Sequence, residues 1–199
     1  MSAPQEKKVL VGERHTDGDD DSTHVPEGMV EMSPNKRYIR FDELISKETV
    51  RIQSSYKAFD TKNGMEIAWH KINLNTLEES EQSRVTQGIN LVKKIQSNFI
   101  IEYLMCWFST DTRTLNIITT HLVTLKEFIS KVHTLRWRIV KKWLKQILKG
   151  LDVLHTHTPN IAHRDLACSH IYIDSGHGGC TNIGDLWLAA ILSEDKDKG

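Results

Sequence analysis

The residues best suited to chemistry lie in the last third of the chain. His163-Arg164-Asp165-Leu166 and Ile183-Gly184-Asp185-Leu186 place two aspartates on either side of a short hairpin whose turn reads SGHGG. A carboxylate can accept a proton or hold a hard divalent cation, so two of them folded back toward each other form a candidate site. Between them Cys168, His170, His177 and Cys180 set four soft ligands across the same hairpin, which raises a small zinc-binding module as an alternative. Their C-x-H and H-x-x-C spacing matches no common structural zinc pattern, which argues against it.

Two acids need a scaffold to bring them together, and the sequence supplies one. Upstream, residues 134–155 repeat apolar side chains at Trp137, Val140, Leu144, Ile147, Leu151 and Leu154, the spacing of a long amphipathic helix, with Lys141, Lys142, Lys145 and Lys149 on its other face. Because the rest of the chain cancels that charge, the basic face is read as solvated surface rather than a nucleic-acid groove. Trp107, Trp137 and Trp143 are read as packing anchors. After the helix come the strands IYID and CTNIGDLWLAAIL.

The first half alternates instead. YIRFDELI, SSYKAFDT and MEIAWHKINL read as three antiparallel strands, the last two joined by a turn with Asn63-Gly64, a hairpin signal. A helix is expected from about Arg84 to Ile95, followed by the strands IIEYLMCWF and RTLNIIT. Five strands around one helix, then a mainly helical segment, make an α+β arrangement. Residues 1–36 are charged, Ser-, Gly- and Pro-rich, and are expected to be a disordered polar arm.

Composition narrows the class. The chain has 199 residues with 26 basic and 26 acidic side chains, so no net field draws it to nucleic acid or an anionic membrane. No apolar run reaches the roughly 18 residues of a membrane span. Three cysteines at unrelated spacing and a start without an apolar leader point to a reduced, cytoplasmic setting.

The order of these pieces resembles the protein kinase signature set: a third strand, here EIAWHKI, then an H-R-D-L loop, then a D-F-G-like element, here Asp185-Leu186-Trp187. IQSNFIIEYLMCW, KKWLKQILKGLDVLHTHTP, HRDLACSHIYI and IGDLWLAAIL narrow the resemblance to WNK serine/threonine kinases, the plant branch in particular. It implies a bilobal fold, with residues 37–120 as a small five-stranded N-lobe carrying one helix. Residues 121–199 would form an incomplete, mainly helical C-lobe. It also implies ATP and magnesium between the lobes and phosphate transfer to a protein hydroxyl.

By that resemblance, His163, Arg164 and Asp165 are the catalytic-loop residues, with Asp165 the base. Asp185 and His170 stand at the two metal-ligand positions. Ala68, His70, Gln53, Arg51 and Thr120 are the nucleotide-contacting positions. Several depart from the pattern. ISKETVRIQSSY has no glycine to let backbone amides approach phosphates. His70 replaces the usual lysine while Lys71, one residue on, faces the other way. The substitute lysine of the WNK family falls at Gln53 or Arg51, and its partner carboxylate at Gly88. His170 replaces an asparagine, which disfavours magnesium relative to manganese or zinc. Trp187 replaces the glycine that closes the metal-binding motif.

Losing one preorganised donor costs on the order of 10² to 10³ in rate. The expectation is therefore a catalytically impaired kinase homologue, a pseudokinase that works by binding or scaffolding. A weakly active ATP-dependent kinase is the first alternative and the zinc module the second. Because the chain ends at Gly199, soon after the second aspartate, the resemblance further implies an incomplete large lobe, and so a protein partner or self-association that covers the long helix.

Overall fold

The computed structural model describes residues 28–48, 53–120, 123–132, 134–174 and 179–191. Its N-lobe sheet contains β1 (Met29–Met32), β2 (Tyr38–Glu48), β3 (Gln53–Asp60), β4 (Met65–Asn73), β5 (Tyr103–Ser109) and β6 (Thr114–Thr120). The strands are antiparallel in the order β1-β2-β3-β4-β6-β5, and α1 (Glu79–Val92) links β4 to β5. The Asn63-Gly64 turn sets the register. Gly64 takes φ +64°, Asp60 pairs with Met65, and counting back along the hairpin puts Ser55 opposite His70.

One strand lies where a polar arm was expected. β1 reads Met29-Val30-Glu31-Met32, but Val30 and Met32 stay exposed, and charge fastens it: the Glu31 carboxylate accepts from Arg40 of β2 at 3.0 Å and from Lys71 of β4 at 2.6 Å. Three strand spacings in a flat sheet are about 14 Å, so the sheet curls strongly to bring β4 to β1. Residues 1–27 of the expected arm lie outside the described residues.

Both faces of β4 are covered, which is why Ile67, Ala68, Trp69 and His70 are all buried. Ile67 and Trp69 join Tyr38, Ala58 and Ile118, with the Trp107 ring edge-on to Trp69 at 4.8 Å. Ile72 belongs to a second cluster with Leu74, Val85, Ile89, Leu115, Ile117 and Trp187, between sheet and helix. Helix α1 starts five residues before the expected Arg84. Glu79 and Glu81 in its first turn suit the exposed amide end, and the Glu81 carboxylate accepts the Glu78 N–H at 3.4 Å.

The C-lobe follows with β7 (Val123–Thr124), α2 (Leu125–Lys131), α3 (Trp137–His155), β8 (Ile161–Ala162), β9 (Ile171–Asp174), β10 (Cys180–Ile183) and β11 (Ala190–Ile191). β9 lies between β10 and β7, while β8 pairs with β11. The buried face of α3 is Trp143, Ile147, Gly150 and Leu154. This corrects the expected stripe: Trp137 is 62% exposed and Leu144 49%. The helix turns its Trp143 edge inward because that indole donates to the Gly179 carbonyl at 3.1 Å and meets the Phe128 ring edge-on, whereas Trp137 sits at the first turn. Gly150 allows close approach, since a Cβ there would lie 2.8 Å from Ile183 Cδ1 and 3.0 Å from the Phe99 carbonyl.

Candidate functional site

The hairpin β9–β10 brings the two aspartates to one place, and imidazoles hold them there. His163 is buried, its Nε2–H donating to the Gly184 carbonyl at 2.9 Å while its Nδ1 accepts the Asp165 N–H at 3.2 Å. One ring thus ties the residue before Asp185 to Asp165 itself. Arg164 takes φ +67° to make this turn, and its side chain is exposed.

His170 lies between the two acids. Its Nδ1 is 2.7 Å from the Asp165 carbonyl, which can only accept, so the hydrogen sits on Nδ1. The same nitrogen is 3.1 Å from Asp165 Oδ2, and Nε2 on the far side of the ring is 3.9 Å from Asp185 Oδ2. The ring is buried, so it occupies the space between the carboxylates. Asp185 has a left-handed backbone, φ +53°, and its Oδ2 accepts the Tyr172 hydroxyl at 3.0 Å. Gly184 has no Cβ, and one would run into the Tyr172 ring. On the other side the Tyr103 hydroxyl accepts the Leu186 N–H at 3.0 Å. Burial, with the Asp185 charge nearby, pushes the Tyr103 phenol far above its ordinary range.

Sequence reasoning missed Tyr172, although alternation along β9 puts it on the same face as His170, with Ile171 and Ile173 turned to the core. It also missed Ser55 and Thr119. His70 is buried and bridges the sheet, with Nδ1 2.7 Å from Ser55 Oγ and Nε2 2.9 Å from Thr119 Oγ1. The Thr119 hydroxyl donates to the Thr120 carbonyl at 3.3 Å, so it accepts from His70 Nε2–H. The ring at the expected lysine position is therefore held by neighbouring strands. Lys71 faces the opposite way, onto Glu31.

Ala68 is buried and pairs with Thr119, while Thr120, at the end of β6, is half-buried opposite Ile67. Gln53 starts β3 opposite Ile72, and Arg51 lies outside the described residues. Gly88 lies against the backbone carbonyls of Trp187 and Ala189. For the zinc alternative, Cys168 is exposed, His177 lies outside the described residues, and no group of three or more His, Cys, Asp or Glu side chains among the described residues could hold a metal ion.

Comparison with known proteins places this geometry. A family model for the protein kinase domain matches residues 52–198. The chain is 35% identical over 175 residues to probable serine/threonine-protein kinase WNK6 of Oryza sativa subsp. japonica, covering 85% of this chain and 39% of that protein. It is 36% identical over 169 residues to probable serine/threonine-protein kinase WNK4 of Arabidopsis thaliana, covering 83% and 29%. To probable serine/threonine-protein kinase WNK5 of Oryza sativa subsp. japonica it is 34% identical over 173 residues, covering 84% and 52%. The chain therefore spans 29% to 52% of the length of these curated relatives.

Proposed function

Since this chain belongs to the protein kinase family, as a WNK-like serine/threonine member, we propose that it acts by binding a protein partner and transfers little or no phosphate. Kinase domains in general use ATP and magnesium, and the residues present here fit that group poorly. The two carboxylates suit a hard divalent ion, but an imidazole lies between them and a phenol donates to Asp185. The substitute position of the WNK family falls at Gln53 or Arg51, neither of them a lysine, and the position that carries the triphosphate lysine in most kinases is His70, hydrogen-bonded across the sheet to Ser55 and Thr119. That engagement is the observation carrying the proposal. Phosphoryl transfer is mainly positioning and charge neutralisation, and His70 serves the sheet.

The partner reading is supported by α3, where Trp137, Ile139, Leu144 and Leu148 are exposed on one helix. The cytoplasmic setting is supported by three cysteines outside any disulfide. Among the described residues, no helix is long and apolar enough to cross a membrane.

A second reading, a weakly active ATP-dependent kinase, draws on the survival of Asp165 and Asp185 in one cluster through His170. Incubation with labelled ATP and magnesium or manganese separates the two. The expected result is no transfer above that of Asp165→Asn. Transfer that Asp165→Asn abolishes overturns the binding-only reading. A melt with ATP and magnesium gives a parallel check, because a ligand at 100 times its dissociation constant stabilises by about 2.7 kcal/mol; the expected shift is nil.

A further inference from the structure

Gly88 and Trp187, two of the positions where this chain departs from the kinase pattern, lie directly against each other. A Cβ on Gly88 would sit 2.8 Å from the Trp187 carbonyl oxygen and 2.9 Å from that of Ala189. Both are backbone atoms, so neither can turn aside as a side chain could. From this contact the Trp187 side chain enters the cluster of Ile72, Leu74, Val85, Ile89, Leu115 and Ile117, where it is 6% exposed. The same segment is fixed at both ends. The Leu186 N–H donates to Tyr103, and Ala190–Ile191 pairs with Ile161–Ala162 of β8. A short stretch of chain thus touches the N-lobe helix, the N-lobe sheet and a C-lobe strand.

We infer that Gly88 and Trp187 form a clasp, a glycine socket on α1 with an indole wedged between helix and sheet, that fastens the two lobes in one arrangement without nucleotide. It stands where a lysine–carboxylate pair would otherwise tie the helix to the sheet. A charge pair can open into water with little loss, because its groups hydrate well. Withdrawing a buried indole exposes its apolar surface and leaves a cavity, so the clasp resists displacement of α1. The inference rests on the reading above in one respect only: nucleotide is not what holds the lobes together.

The test is Gly88→Ala in the full chain, followed by thermal melting and by hydrogen exchange. In an ordinary helix interior this change stabilises, because glycine is the poorer helix former. Here it is expected to lower the melting midpoint by roughly 3–8 °C, as overpacking against backbone does. It is also expected to speed exchange in both 85–92 and 186–191, while Gln87→Ala, on the exposed side of the same turn, does neither. A raised midpoint, or faster exchange confined to 85–92, overturns the clasp. If Gly88→Ala gives no cooperative melt, Trp187→Phe decides by exchange: faster exchange in both segments supports the clasp, and unchanged exchange in 85–92 overturns it. A midpoint raised by ATP and magnesium would instead defeat the binding-only reading, leaving the clasp to the Gly88→Ala result.

Discussion

His70 shows how one substitution changes what a position is for. A lysine there would send a flexible charge into the cleft, whereas imidazole presents two nitrogens at a fixed spacing, and hydroxyls on the two flanking strands meet both. His70→Ala would leave Ser55 and Thr119 buried without that partner, and we expect a loss of about 1–3 kcal/mol of stability, read from urea denaturation. Asp60 makes a second prediction. Its carboxylate receives Arg37 through two nitrogens, at 2.8 and 2.6 Å, and caps the β3–β4 turn by accepting the Lys62 N–H at 3.0 Å. The Arg37 guanidinium and the turn amides hold its pKa below the ordinary carboxylate range against the opposing effect of burial. The folded state then binds the proton less readily than the unfolded chain. Its contribution is therefore present at neutral pH and is lost as pH falls through and below the usual carboxylate range. Asp60→Asn should flatten that part of the curve of denaturation midpoint against pH, and an unchanged slope would contradict the assignment.

At the scale of elements, Gly150 reverses an ordinary rule. Alanine normally improves a helix interior by about 1 kcal/mol. In α3 the added carbon would meet Ile183 and the Phe99 carbonyl, so Gly150→Ala is expected to destabilise by roughly 1–3 kcal/mol, measurable as a lower melting midpoint. The elements also differ in how openly the sequence announces them. The β3–β4 hairpin was legible because Asn63-Gly64 signals a turn, but its register was not, since four residues rather than two lie between the paired Asp60 and Met65. The HRD and GDL pieces were legible as a pair, and the hairpin between them brings Asp165 and Asp185 to one histidine. β1 was not legible, because hydrogen-bonded pairing and the charges around Glu31 hold it rather than apolar alternation. α2 carried a signal that went unread: Thr124 and Glu127 form a capping box, with Thr124 Oγ1 accepting the Glu127 N–H at 3.1 Å. The buried face of α3 was misjudged because periodicity alone cannot choose between two adjacent apolar stripes. Trp143 decided it through a hydrogen bond to a residue far along the chain.

For the whole molecule, the unchosen stripe matters most. Trp137, Leu144 and Leu148 stay exposed along one line of α3 while the neighbouring face, through Trp143, Ile147, Gly150 and Leu154, fills the core. Surfaces of that kind are covered by a partner or by another copy. Concentration-dependent association is therefore expected in analytical ultracentrifugation, and Leu148→Glu should shift the distribution toward monomer without lowering the melting midpoint. A compact monomer that persists at high concentration would contradict this.

The junction at Glu31 also bears on where the chain can be cut. The match to the kinase family model begins at residue 52, and a shortened protein starting there would seem the natural unit to express. Such a cut removes both strands that precede β3, strips Tyr38 from the cluster around Trp69, and leaves the Lys71 ammonium without the carboxylate it now meets. A preparation that keeps these contacts has to begin no later than Gly28.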